Sequence, residues 1–122
     1  MGLSARGNRF VTFRQATGDD LWLHAHELPG AHVIVKGMKG REENEVLKVA
    51  ASLAAAHSRG RTSLSVQVDC TERRYVRSVP GAAVALVTYT NPTAFRADPD
   101  YWKRYSPETA SGNPEARKEE GR

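Results

Sequence analysis

Four ring side chains fall close together in this sequence: Trp22, His24, His26 and His32. Side chains two apart on an extended strand share a face, because successive residues point to opposite sides. His24 and His26 are therefore neighbours, with His32 returning across a turn. One chemistry open to them is metal ligation, and with it metal-dependent hydrolysis. That reading needs three or four convergent ligands, and His24, His26 and His32 have no thiolate support and no clear carboxylate at matching register. The other chemistry is nucleic-acid recognition. Trp22, His24, His26 and His32 offer stacking surfaces and donors, and Arg14, Lys36 and Lys39 offer charge to phosphates. A tryptophan in a small domain is usually buried at least in part, so Trp22, and His32 with it, has a core position as its competing reading.

The elements that must position these rings are legible as a strand, a turn and a strand. Leu21, Leu23 and Ala25 alternate with Trp22, His24 and His26; Leu28-Pro29-Gly30 turns the chain; His32 to Lys36 resumes an extended run. Upstream, Phe10 to Gln15 alternates as a further strand, which Thr17-Gly18-Asp19 turns into an antiparallel hairpin with the Leu21 strand. Asp19-Asp20 serves that turn rather than chemistry. A helix is expected over about 42–57, with Glu42, Glu43 and Glu45 at its positive end and Val46, Ala50, Leu53 and His57 along one stripe. Its alanines allow close approach to a sheet. Strands follow at Leu64 to Asp69, Arg73 to Arg77, Ala82 to Thr90 and Ala94 to Ala97, the last two joined as a hairpin by Asn91-Pro92-Thr93. A final helical turn is expected over 98–104. The fold class is α+β, a largely antiparallel sheet with one principal helix packed on a face.

Arginine is concentrated around the helix exit and the strand after it, at Arg59, Arg61, Arg73, Arg74 and Arg77. These read as a phosphate-contacting rim, sequence-independent and salt-sensitive. The bland alternative is a solvated face with local pairs to Glu72 and Asp69. The net charge of +4 is uneven, since residues 105–122 carry −1 and the body before them +5. An isoelectric point near 9.5 is compatible with a polyanionic partner.

Several of these segments resemble a known family. Asp19-Asp20-Leu21-Trp22-Leu23-His24 followed by Pro29-Gly30-Ala31-His32-Val33 is similar to the signature of the NFACT-R domain, the RNA-binding module of ribosome quality control factors related to RqcH and NEMF. Val68-Asp69-Cys70-Thr71, Tyr75-Val76-Arg77, Val87-Thr88-Tyr89-Thr90-Asn91 and Asp98-Pro99-Asp100 continue the likeness over about 2–100. The family's basic, asparagine-rich N-terminal run survives only at Gly2, Arg6 and Asn8, and its Lys-Pro-Gly before the last long strand is replaced by Ala83-Val84-Ala85. The resemblance implies an RNA-binding module whose partner is tRNA or rRNA on the large ribosomal subunit, with Arg6 among the contacting residues. The family's other domains have no counterpart in these residues, so the likeness implies binding without the full tail-adding cycle.

The remaining features bound the function. At 122 residues the chain accommodates one domain, expected over 1–104, and a disordered tail over 105–122 rich in Pro, Gly, Ser and Glu. No secretory signal or membrane span is visible, and the lone Cys70 reads as a small buried hydrophobe, so a cytoplasmic protein is expected. No phosphate-binding glycine loop and no nucleophile elbow occur. The reading is therefore a binder, with no catalytic residues, no cofactor and no resident metal.

Overall fold

The computed structural model describes residues 1–2, 4–36, 44–80 and 87–104. Helix α1 (Ala5–Phe10) opens on Ser4, whose Oγ accepts from the Gly7 amide at 3.0 Å, and continues into a wider π-type turn over Val11–Gln15. Strands β1 (Leu21–Ala25) and β2 (Val33–Val35) follow, then helix α2 (Asn44–Ala56) and strand β3 (Val66–Glu72). A 3-10 turn over Arg73–Tyr75 leads into β4 (Val76–Ser78), and β5 (Val87–Tyr89), β6 (Thr93–Ala97) and a 3-10 turn over Tyr101–Arg104 complete the described chain.

Four strands form one sheet in the order β2-β1-β3-β6, every neighbour antiparallel, while β4 and β5 pair as a separate ribbon. Alternation then sorts the side chains. Leu23 lies opposite Cys70 and Ala25 opposite Val68. All four join Val33, Val66 and Ala97 in a core closed by Ala50, Ala51, Ala54 and Ala55 of α2. Small residues at those helix positions let its backbone lie close to the sheet, as the alanine content predicts. His57 is not part of that stripe; it lies exposed just past the helix end.

The α+β architecture stands as expected, with four corrections. The strand expected over Arg73 to Arg77 is a 3-10 turn at Arg73–Tyr75 and a strand only from Val76. Phe10 to Gln15 is helical, not a strand. The buried side of this segment is polar, since Asn8 and Thr12, one turn apart, point inward while Phe10 is exposed. An apolar alternation test therefore scores the wrong residues. β6 does not form a hairpin with β5: it pairs with β3, and β5 pairs with β4. The strand expected from Leu64 begins at Val66 and runs to Glu72 instead. The expected N-terminus of α2, the Ala82–Leu86 part of the long apolar run and the 105–122 tail all lie outside the described residues.

The sheet's second face is also covered. The α1 segment and the β4–β5 ribbon lie over it, joined to it by Thr12 and His32 and by the hydrogen bond from Thr71 Oγ1 to the Thr90 carbonyl at 2.8 Å. Among the described residues no helix is long and apolar enough to cross a membrane. Burial assigns a stability test. Leu23→Ala, at a fully buried position, should cost about 2–5 kcal/mol in denaturant unfolding. Leu64→Ala, at a side chain 96% exposed, should stay within about 0.5 kcal/mol. Equal losses at both positions would contradict this core.

Candidate nucleic-acid interface

The β1–β3 register sets Trp22 against Thr71 and His24 against Asp69 on the face away from α2. Asp69 is 2% exposed. Such a carboxylate must be supplied with donors, and three side chains supply them. His26 Nδ1 is 2.6 Å from Asp69 Oδ2, Gln67 Nε2 donates to Oδ1 at 3.2 Å, and the Tyr89 hydroxyl donates to Oδ2. Burial works to raise the Asp69 carboxyl, but the hydrogen bonds from Tyr89, His26 and Gln67 outweigh it and hold the group below the usual carboxylate range. The bond to Asp69 raises His26 above an ordinary imidazole.

Beside this anion the rings form a cluster. His24 stacks on Trp22 at 5.6 Å between centroids and 15° between planes. His32 meets the Trp22 ring edge-on at 5.2 Å, and Tyr89 leans on it at 4.8 Å. His32 Nδ1 is 2.8 Å from Thr12 Oγ1, and its backbone amide donates to Asn8 Oδ1. Burial lowers the basicity of His24, and burial together with the charge of His24 pushes His32 down to about 3. His32 is thus a neutral ring at ordinary pH.

The exit of α2 is fastened to the β1–β2 connection. Ala31 donates to the His57 carbonyl and Arg59 to the Pro29 carbonyl, each at 3.0 Å. A Cβ at Gly30 would lie 2.9 Å from the His57 oxygen, so only glycine permits this approach. Between these walls opens a cleft of about 1030 Å³. His24, His32, Val87 and Tyr89 line one part of it, Ala56 to Arg59 and Arg61 another, and Ser4, Asn8 and the Glu27–Ala31 turn the rest. Cations and flat rings in one concavity suit a ligand that has both anionic and aromatic parts.

Of the residues singled out from sequence, the cleft gathers His24, His32, Arg59 and Arg61. Trp22 is wholly buried and His32 is 2% exposed, so the expected stacking platform is narrower: Trp22 supports it from beneath. The continuous arginine rim is also corrected. Arg59 and Arg61 lie beyond the Ala25 end of β1, whereas Arg73 and Arg74 follow Glu72, opposite Leu21 at the other end. Arg74 is held by Asp19 and Glu72; Arg73 lies over the Phe13 ring at 4.5 Å and donates to the Thr12 carbonyl. Lys36 Nζ is 2.6 Å from Asp20 Oδ2. Arg6, Arg14 and Arg77 are exposed away from the cleft lining, and Lys39 lies outside the described residues.

The metal reading is corrected as well. A carboxylate does sit in register with His24, but Asp69 is committed to His26 and Tyr89. Among the described residues no three His, Cys, Asp or Glu groups are set to hold an ion. Cys70 is buried and its thiol is pushed up to about 11 by desolvation, which suits its place in the core. Asp69, Tyr89, His57 and Asn8 escaped the sequence reading of the site. Only Val68-Asp69, an acid alternating with apolar residues in a strand, carried a signal.

Comparison with known proteins gives this arrangement its relatives. RqcH of Bacillus subtilis, described as an Rqc2 homologue, is 36% identical over 100 residues, covering 82% of this chain. The chain is homologous to one part of RqcH. The Streptococcus pneumoniae RqcH is 38% identical over 94 residues, or 76% of the chain. In each case the chain spans 17% of the relative's length. Among solved structures, the C-terminal part of the fibronectin/fibrinogen-binding protein from Streptococcus suis superposes with a TM-score of 0.73 at 35% identity, covering 82% of this chain and 41% of that one. No family model matches the chain.

His26 and His32 should titrate apart. By ring-proton NMR, His32 should remain neutral to about pH 4 and His26 should titrate above about 6.5. The linkage has opposite signs. The His32 contribution is present above the unfolded value near 6.5 and lost as pH falls toward 3. The His26 contribution is present below 6.5 and lost as pH rises through its raised folded value. A common midpoint for both rings would contradict the geometry.

Proposed function

We propose that this chain is an NFACT-R-type RNA-binding module that contacts tRNA or rRNA on the large ribosomal subunit and serves ribosome-associated quality control in the cytoplasm. It acts by binding, not by catalysis. The homology to RqcH supports the process, and the cleft supports the ligand. The single observation that carries the reading is the pairing of exposed Arg59 and Arg61 with the ring-lined cleft beside His24 and Tyr89. Guanidinium groups bind phosphate oxygens in forked geometry, and each phosphate neutralised releases counterions.

The mechanism divides labour. Arg59 and Arg61 hold the sugar-phosphate backbone, while the imidazole and phenol rings provide shape and stacking surface. Arg74 is not assigned a phosphate, because its guanidinium is already engaged by Asp19 and Glu72. The paired replacement Arg59→Ala/Arg61→Ala should weaken binding to ribosomal RNA by about tenfold or more at moderate salt. It should also flatten the plot of log affinity against log salt by between one and two contacts' worth of slope. Arg74→Ala should leave both quantities nearly unchanged. An unaltered salt slope in the double variant, or an equal loss from Arg74→Ala, would overturn the assignment.

A further inference from the structure

We propose that the cleft receives one unpaired nucleotide of the bound RNA, its base stacked on the outward face of His24 and its phosphate held by Arg59 and Arg61. The inference rests on the RNA-binding reading and specifies which part of the RNA enters. His24 is parallel to Trp22 within 15°, so one face of the imidazole is covered by indole while the ring still lines the cleft. A planar base on the other face would extend an existing stack by one layer. Burial disfavours the charged form of His24, which favours its use as a flat stacking surface.

Shape and charge point the same way. A paired helix offers its phosphates and 2′-hydroxyls on a convex surface, and its bases are inaccessible to a concavity unless one is extruded. At about 1030 Å³ the cleft has room for a whole nucleotide, given that small-ligand pockets span about 300–1,000 Å³. Its cations are not evenly spread. Arg59 and Arg61 follow α2, whereas the Glu27 carboxylate lies on the β1 side, 3.5 Å from His26. A phosphate is attracted to the first wall and repelled from the second, so the nucleotide enters base-first with its backbone against the arginines.

The test uses the full 122-residue chain and three RNA hairpins of one sequence: fully paired, with a one-nucleotide bulge, and with that bulge made abasic. The bulged hairpin should bind about tenfold more tightly than either other, the scale that base stacking on a ring supplies. Ala56→Phe, at a cleft-lining position, should bring that preference down to about onefold. Equal binding of all three hairpins by the unaltered chain would overturn the nucleotide site while leaving RNA binding intact. Binding of none would overturn the RNA-binding reading, and this inference with it. Should Ala56→Phe fail to fold, adenosine monophosphate titrated into the unaltered chain decides. Amide shifts at Gly30, Ser58 and Tyr89 are expected, and their absence at millimolar nucleotide would overturn the proposal.

Discussion

Asp69 is a carboxylate almost wholly withdrawn from water in the middle of β3, and the outer face of the sheet is arranged around satisfying it. Burying a charge without donors is costly enough that the group would sooner take up a proton. Here His26 reaches it from beyond the end of β1, Gln67 from its own strand and Tyr89 from β5. The Tyr89 bond has a further effect. It fixes the two-stranded ribbon to the four-stranded sheet at the place where the same ring leans on Trp22. One buried anion thereby locates a ring of the cleft and orients an imidazole beside it.

A second set of bonds does for the N-terminal segment what Asp69 does for the ribbon. Asn8 accepts from the His32 amide and donates to the Gly30 carbonyl at 3.1 Å, while Thr12 meets the His32 ring. The Gly2 amide donates to the His32 carbonyl, and a Cβ at Gly2 would lie 2.5 Å from the Asn8 backbone nitrogen. Polar side chains, not apolar ones, hold α1 to the sheet. That explains why Gly2 and Asn8, two of the few N-terminal positions that keep the family likeness, are structural here.

What the sequence made legible follows from where the stabilising interactions are local. Leu21 to Ala25 alternates cleanly because one face meets α2, and the alanines of α2 match the close packing they permit. The α1 segment is hidden from such a pattern, since its inward residues are Asn8 and Thr12, which no hydrophobic period registers. Asn91-Pro92-Thr93 does turn the chain, as its composition predicts, with Asn91 at a φ of 56°. The chain leaving it crosses to β3 instead, a choice made by burial of Ala97 and Phe95 against the core. The role of Asp69 depends on His26, 43 residues away, and the quenching of Arg74 on Asp19, 55 away. Counting charges cannot distinguish an arginine held by its own fold from one free to meet a phosphate.

The margins of the sheet carry a consequence at high protein concentration. β2 and β6 are its outer strands, and an open strand edge is a template on which another chain can hydrogen-bond. β2 extends for only three residues, too few to nucleate such growth. β6 begins just after Pro92, which has no amide hydrogen to offer, and bears the exposed Arg96 near its end. Short length on one border, with proline and positive charge on the other, discourages copies from zipping together into aggregates.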